Sequence, residues 1–141
     1  MASALPRLHR PVLIVFSICL AAACAVHGKD LWQHGWLPYH FAPLPLNAYW
    51  TSLTFFDAVA AVLLLWRRRT GLALALLIIT SDVAINLFAR FYLRLHLRPL
   101  ALTLQLLFLA VVVAVTLYAR RMGAATQPSN LFLWHTTTCI V

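Results

Sequence analysis

The chain has very little charge and almost no acid. Asp30, Asp57 and Asp82 are the three acidic residues among 141, and charged residues of both signs make up 10%. Soluble domains carry roughly 25% charged residues, so this scarcity excludes an ordinary soluble domain. Together with a hydrophobic fraction of 63%, it predicts a membrane protein of one domain.

Glycine and cysteine are also scarce, and the patterns that need them are missing. The four glycines form no phosphate-binding loop and no nucleophile elbow, and the three cysteines form no CxxC pair. Buried membrane cysteines usually act as small packing residues, and we interpret Cys19 and Cys24 in this way. No metal site and no cofactor are predicted, although the histidines leave a haem or metal site open as the lesser alternative: His27, His34, His40 and His96.

Long apolar runs are what the chain does contain. Four runs cover about 11–27, 49–66, 71–89 and 100–119, and each approaches the roughly 20 residues that a membrane-spanning helix needs. The runs are continuously apolar and do not alternate, so helices are predicted and not barrel strands. The sequence therefore predicts an all-α membrane protein, a four-transmembrane-helix bundle, with a short C-terminal tail over 122–141.

The basic residues set the predicted orientation. With the N-terminus inside, seven of the eleven bases are cytoplasmic and four, Lys29, Arg90, Arg94 and Arg98, are outside. This ratio favours an N-in/C-in topology, in what we interpret as a bacterial inner membrane. Bases at the ends of apolar runs suit anionic lipids, so the partners predicted are the lipid bilayer and its anionic lipids and not nucleic acid.

Two acids lie where they are costly, inside apolar runs. A central aspartate costs about 2.5–3.5 kcal/mol on insertion scales, and intramembrane acids are functional suspects by default. A helical rise of about 1.5 Å per residue places Asp57 and Asp82 at nearly the same depth. Asn86 follows Asp82 by one turn, and Gln105 lies in the same layer. The sequence predicts a ligand site at these four residues, or, equally, hydrogen-bonded groups that only hold helices together.

Three arginines recur at four-residue spacing after the third run. Arg90, Arg94 and Arg98 would share one stripe if the helix continued beyond the bilayer. Snorkelling to lipid headgroups explains such a stripe, and arginine forks also match phosphate or carboxylate groups. We predict that these residues contact anionic headgroups.

The stretch "LTFFDAVAAVLLLWRRRTGLALALLII" resembles the central hairpin of DoxX-like small four-helix membrane proteins, with an acid early in helix two and a basic turn. This resemblance implies a role linked to quinone or sulfur redox chemistry. Asp30 in "KDLWQHGWLP" and Asp57 in "FFDAV" also resemble the acids of the EXPERA group, which includes the sterol isomerases and the sigma-2 receptor. That similarity implies a site for a sterol-like or cationic amphiphile, although Asp82 departs from the pattern.

Three functional hypotheses remain from the sequence. The first is a midplane acidic site that binds a proton, a small cation or a basic amphiphile. The second is an accessory subunit or enzyme linked to quinone or lipid chemistry, and the third is a structural or assembly subunit without ligand. The balance leans away from an enzyme, and a homo-oligomer or a larger membrane complex is compatible with each hypothesis.

Overall fold

The structure is a computed structural model that describes residues 10–125, and most of these residues lie in four α-helices. The helices are α1 (Arg10–His34), α2 (Leu44–Trp66), α3 (Arg68–Phe91) and α4 (Pro99–Ala125). All four are long and apolar enough to cross a membrane. The predicted all-α four-helix architecture is thus confirmed for the described residues.

The helix boundaries follow from glycine and proline. Gly35 directly after α1 has φ 76°, the left-handed conformation that ends helices and that glycine adopts without strain. Pro43 immediately precedes α2, and Pro99 is the first residue of α4. Proline suits the first helical position because its missing N–H would have no helical partner there.

All four helices are longer than the apolar runs predicted. α4 reaches Ala125 and so includes the first residues of the predicted 122–141 tail, the rest of which lies outside the described residues. α1 continues past residue 27 to His34, and α2 begins at Leu44 and not at residue 49. Hydropathy marks the part of a helix that matches the hydrocarbon layer, so it does not report turns that extend into the interface. As a consequence Asp30 lies on the last turns of α1 and not in a loop.

The connection between α2 and α3 is a single residue, Arg67. It brings the start of α3 so close to the end of α2 that a Cβ atom on Gly71 would lie 2.6 Å from Leu64 Cα and nearer still to the Leu64 nitrogen. Real side chains do not approach a backbone this closely. Glycine is therefore required at this position.

The helices pack in chain order, α1 on α2, α2 on α3 and α3 on α4. An edge-to-face contact of Phe16 with Phe108, centroids 5.7 Å apart, joins α1 to α4. We call the end where α1 and α3 finish and α2 and α4 begin the mouth end, and the end at Arg67 the turn end. Apolar residues of all four helices fill the core, among them Leu20, Leu64 and Val112.

Candidate functional site

A polar network joins α3 to α4 inside the bundle. Asp82 accepts hydrogen bonds on both carboxylate oxygens, from Asn86 Nδ2 at 3.0 Å and from Gln105 Nε2 at 2.7 Å. Asn86 Nδ2 also donates to Gln105 Oε1 at 2.9 Å. Asn86 reaches Asp82 because residues four apart share one face of a helix. The structure therefore brings together three of the four residues that the sequence predicted as a site.

Trp50 extends this network to α2. Its indole Nε1 donates to Asn86 Oδ1 at 2.9 Å, and Trp50 itself is 5% exposed. Sequence analysis did not single out Trp50, because a tryptophan among other aromatic residues near the start of an apolar run is typical of a membrane interface. The signal that could have found it is the position of Trp50 in the first turns of α2, at the level of the polar residues of α3 and α4.

The Asp82 carboxylate has hydrogen-bond acceptor positions that the network does not use. An ionised carboxylate only accepts hydrogen bonds and has about four acceptor positions, whereas Asp82 uses one on each oxygen. Asp82, Asn86 and Gln105 also line a cavity. A donor that enters this cavity can reach a carboxylate already held in place by two amides.

Asp57, the fourth predicted residue, lies elsewhere. It is 3% exposed but belongs neither to the Asp82 network nor to the cavity wall. Asp57 is ten residues before Arg67 and Asp82 fifteen after it, which separates them by roughly 7 Å along the bundle axis. The expectation of nearly equal depth was wrong, because α3 begins at Arg68 and not at Gly71. Thr54, one turn before Asp57, has a buried hydroxyl oxygen without a hydrogen-bond partner among residues 10–125.

The cavity has a volume of about 540 Å³ and lies at the mouth end. This volume falls in the range of about 300–1,000 Å³ that is usual for small-molecule sites. Its wall combines two carboxylates and two amides with three aromatic rings and an apolar side, and a basic group stands nearer the mouth. The polar members are Asp30, Asp82, Asn86, Gln105, His27, His34, His96 and Arg98, and the others are Tyr39, Phe41, Trp50, Val26, Pro38, Leu97, Ala101 and Leu102.

Three aromatic rings of the wall pack against one another. Tyr39 and Trp50 meet edge to face with centroids 5.5 Å apart, and Phe41 lies 6.1 Å from Trp50 and 6.3 Å from Tyr39. Aromatic faces attract cations, and the attraction grows where water is displaced. The cavity therefore presents aromatic rings and carboxylates to the same space.

Tyr39 links the α1–α2 loop to the end of α1. Its hydroxyl donates to Asp30 Oδ2 at 3.0 Å, and because this uses its one proton, the oxygen accepts from His27 Nδ1–H at 2.8 Å. Burial, and then the charge and hydrogen bond of Asp30, raise the pKa of Tyr39 above its ordinary value. The hydroxyl therefore stays protonated and holds the loop against the cavity.

Asn47, on the first turn of α2, fixes the same loop from the other side. Its Nδ2 donates to the Leu37 carbonyl at 2.9 Å, and its Oδ1 accepts from the Tyr39 backbone N–H at 3.1 Å. Leu37 has a positive φ of 58°, which such a pair of bonds can hold in place. The cavity wall is thus built before any ligand arrives. Sequence analysis missed Asn47, since one asparagine before an apolar run is a common pattern.

The three arginines do not form a helical stripe. α3 ends at Phe91, and Arg94 has a positive φ of 55°, so the four-residue spacing does not align these side chains. Arg90 Nη1 donates to the Leu97 carbonyl at 3.1 Å and braces the α3–α4 connection, whereas Arg98 lines the cavity. The helical stripe was a wrong prediction, because the spacing alone could not show that the helix ends first. Contact of these residues with lipid headgroups stays a prediction.

The side chains of the described residues do not form a metal-binding cluster. Among residues 10–125 no three histidine, cysteine or acidic side chains are placed to hold a metal ion together. His27 and Asp30 are both occupied by Tyr39, as described above. Cys24 donates its thiol hydrogen to the Thr54 carbonyl at 3.2 Å, which is a packing role.

Comparison of the chain with protein-family models, with curated proteins and with solved structures finds no match. The resemblances to DoxX-like proteins and to the EXPERA group therefore stay predictions from the sequence. Of the two acids that carry the second resemblance, Asp30 lines the cavity and Asp57 does not. Function has to be argued from the site itself.

Proposed function

We propose that this protein is an integral membrane protein that binds an organic cation in the cavity at its mouth end. The ligand is a molecule with an ammonium group, and Asp82 is its anchor. The observation that carries the proposal is a buried carboxylate with both oxygens positioned by amides and with acceptor capacity left toward the cavity.

The wall around Asp82 supports an ammonium ligand over a bare metal cation. A small metal ion prefers several oxygen ligands at close range, whereas this wall offers aromatic rings and apolar side chains beside its carboxylates. Trp50, Tyr39 and Phe41 line this wall, and a contact of an alkylammonium group with an aromatic face is worth about 0.5–2 kcal/mol. The apolar wall suits the carbon chain of the same ligand.

The orientation belongs to this proposal too. With the N-terminus in the cytoplasm of a bacterial cell, the exposed arginines of the turn end are cytoplasmic, as the positive-inside rule requires. The mouth end then faces outward. The ligand would enter from the outer side of the membrane.

Titration of the protein in lipid nanodiscs with hexylammonium tests this function by calorimetry. Asp82→Asn removes the charge and keeps the size, and the loss of one charge-assisted hydrogen bond of about 1.5–3 kcal/mol weakens binding roughly 10- to 150-fold. Asp57→Asn is the matched control, since Asp57 lies outside the cavity, and it changes the affinity much less than Asp82→Asn does. Equal affinity of the wild type and Asp82→Asn would refute the function.

A second candidate function, a purely structural role, is supported by a separate observation. The bonds among Trp50, Asn86, Asp82 and Gln105 connect α2, α3 and α4, which is what a purely structural clamp would do. Under this hypothesis Asp82→Asn lowers thermal stability and hexylammonium binds neither protein. The calorimetric experiment separates the two candidates.

A further inference from the structure

The cavity carries basic as well as acidic groups, and Asp82 and Arg98 lie at different levels along the bundle axis. Asp30, whose Oδ2 accepts from Tyr39, lies between these levels on the last turns of α1. Asp82 with its amides forms the inner part, and Arg98 lies at the mouth, directly before the first residue of α4. His34 and His96, both exposed, also line the mouth. A ligand with only a positive charge would bind Asp82 but would gain nothing from the guanidinium and would be repelled by it.

The two charges are separated along the bundle axis. Asp82 is nine residues before Phe91, the last residue of α3, which places it about 13 Å inside the mouth end. Gln105, its partner on α4, is six residues after Pro99 and about 9 Å inside. Arg98 precedes this whole stretch. A ligand that meets both Asp82 and Arg98 must therefore carry its two charges at opposite ends.

We propose that the ligand is a zwitterion whose ammonium group binds Asp82 and whose carboxylate or phosphate group binds Arg98. The proposal rests on the cation-binding function given above and narrows its ligand class. Arginine presents a planar fork of donors that matches a carboxylate or a phosphate with two hydrogen bonds. The apolar side chains of Val26, Leu97 and Leu102 belong to the same wall and suit a short hydrocarbon chain.

The order of the charges favours a free compound over a lipid headgroup. In phosphatidylethanolamine the phosphate lies nearer the hydrocarbon and the ammonium group lies outside it. For the pair Asp82 and Arg98 the cavity has the reverse order, with the Asp82 carboxylate inside and the Arg98 guanidinium at the mouth. We therefore infer a small ω-amino acid or ω-aminoalkyl phosphate that enters amine first.

Three probes of one chain length test this ligand class on the full-length protein in phosphatidylcholine nanodiscs. The probes are ε-aminocaproate with both charges, hexylammonium with the positive charge alone and caproate with the negative charge alone. We expect ε-aminocaproate to bind at least about tenfold more tightly than hexylammonium, since it adds a charge-assisted pair with Arg98. Caproate should not bind measurably.

Arg98→Gln should abolish the advantage of ε-aminocaproate while hexylammonium binds as before or more tightly, because a repulsive charge is gone. Arg94→Gln is the matched control: Arg94 is an exposed arginine of the same connection that does not line the cavity, so this variant keeps the advantage.

The outcomes distinguish the two proposals. If hexylammonium binds through Asp82 and ε-aminocaproate binds no better, the zwitterion is refuted and the cation-binding function stands. If neither amine binds, the function itself fails and the zwitterion with it. An equal loss for both amines in Arg98→Gln would make Arg98 structural and overturn the zwitterion. Competition by phosphatidylethanolamine vesicles against ε-aminocaproate would assign the chemistry to a lipid headgroup and overturn the free ligand.

Discussion

Asp82 and Asp57 are both buried in the bundle, at 6% and 3% exposure, but their surroundings differ. Asp82, toward the mouth end, accepts two hydrogen bonds and lines a cavity, whereas Asp57, toward the turn end, lies outside both. Around Asp57 the helices are close together, and residues such as Ala60 and Leu64 are completely buried. The difference teaches that a buried acid identifies a ligand site only where donors and open space accompany it.

The largest effect should come from the close packing at the turn end. Gly71→Ala places a Cβ atom against the Leu64 backbone, which cannot rotate away, and overpacking of this kind costs about 1–3 kcal/mol. Thermal unfolding in detergent should therefore shift clearly downward. Gly28→Ala is the matched control, because its Cβ atom would lie 3.8 Å from Thr54 Cγ2, an ordinary contact. Similar stability of the two variants would show that the helices are not packed this closely.

The two aspartates should respond differently to the same substitution. Asparagine at position 82 keeps one acceptor but turns an N–H₂ group toward a donor, which costs about 0.5–2 kcal/mol inside a membrane bundle. Asparagine at position 57 loses no hydrogen bond of the Asp82 network and removes the cost of burying an acid, so stability is unchanged or higher. Thermal unfolding of the two variants measures the difference. A larger loss of stability in Asp57→Asn than in Asp82→Asn would contradict the difference between the two aspartates.

Trp50→Phe isolates the bond from α2 to the network. The variant keeps an aromatic ring but removes the N–H that donates to Asn86 Oδ1, so we expect a loss of about 0.5–1.5 kcal/mol. Trp66→Phe, at an exposed position, controls for the change of ring and should have no effect. An equal change in unfolding free energy for Trp50→Phe and Trp66→Phe would show that the indole hydrogen bond does not stabilise the fold.

The smallest effect should come from the ionisation of Tyr39, in the cavity wall, at alkaline pH. Because the pKa of Tyr39 is raised, the folded state holds this proton more tightly than the unfolded state does. The stability it contributes is complete below the ordinary tyrosine pKa of about 10 and is lost as pH rises through the folded pKa. Asp30→Asn should lower the pH at which Tyr39 ionises, as followed by ultraviolet absorbance. Tyr39→Phe identifies the part of the absorbance change that belongs to Tyr39. If Tyr39 ionised at the same pH in Asp30→Asn as in the wild type, Asp30 would not be a cause of its raised pKa.

The sequence was sufficient for the helices and for part of the site. Apolar runs determine membrane-spanning helices strongly, and the four-residue spacing of Asp82 and Asn86 places both on one helix face. The register between α2 and α3 was not predictable, because it depends on Arg67 alone forming the turn. A shift of three residues in the start of α3 separated Asp57 from Asp82 along the axis.

The contacts of the cavity wall could not be predicted from the sequence for a related reason. Asp30, Tyr39 and His27 meet only because α1 extends to His34 and the loop folds back onto it. Neither event leaves a periodic pattern in the chain. Trp50 and Arg98 have roles that depend on which helices are neighbours, and composition could only assign them to an interface.

The most direct test of the central claim is to locate the bound ammonium group. A hexylammonium probe with a photoreactive diazirine beside the nitrogen is bound to the protein in nanodiscs, illuminated, and mapped by peptide mass spectrometry. We predict that labels fall on Trp50, Asn86 and Gln105, and that Asp82→Asn removes them while Asp57→Asn does not. Labels on Leu104 and Val111, which are exposed on the outside of α4, unchanged in Asp82→Asn, would contradict a cation site at the mouth end.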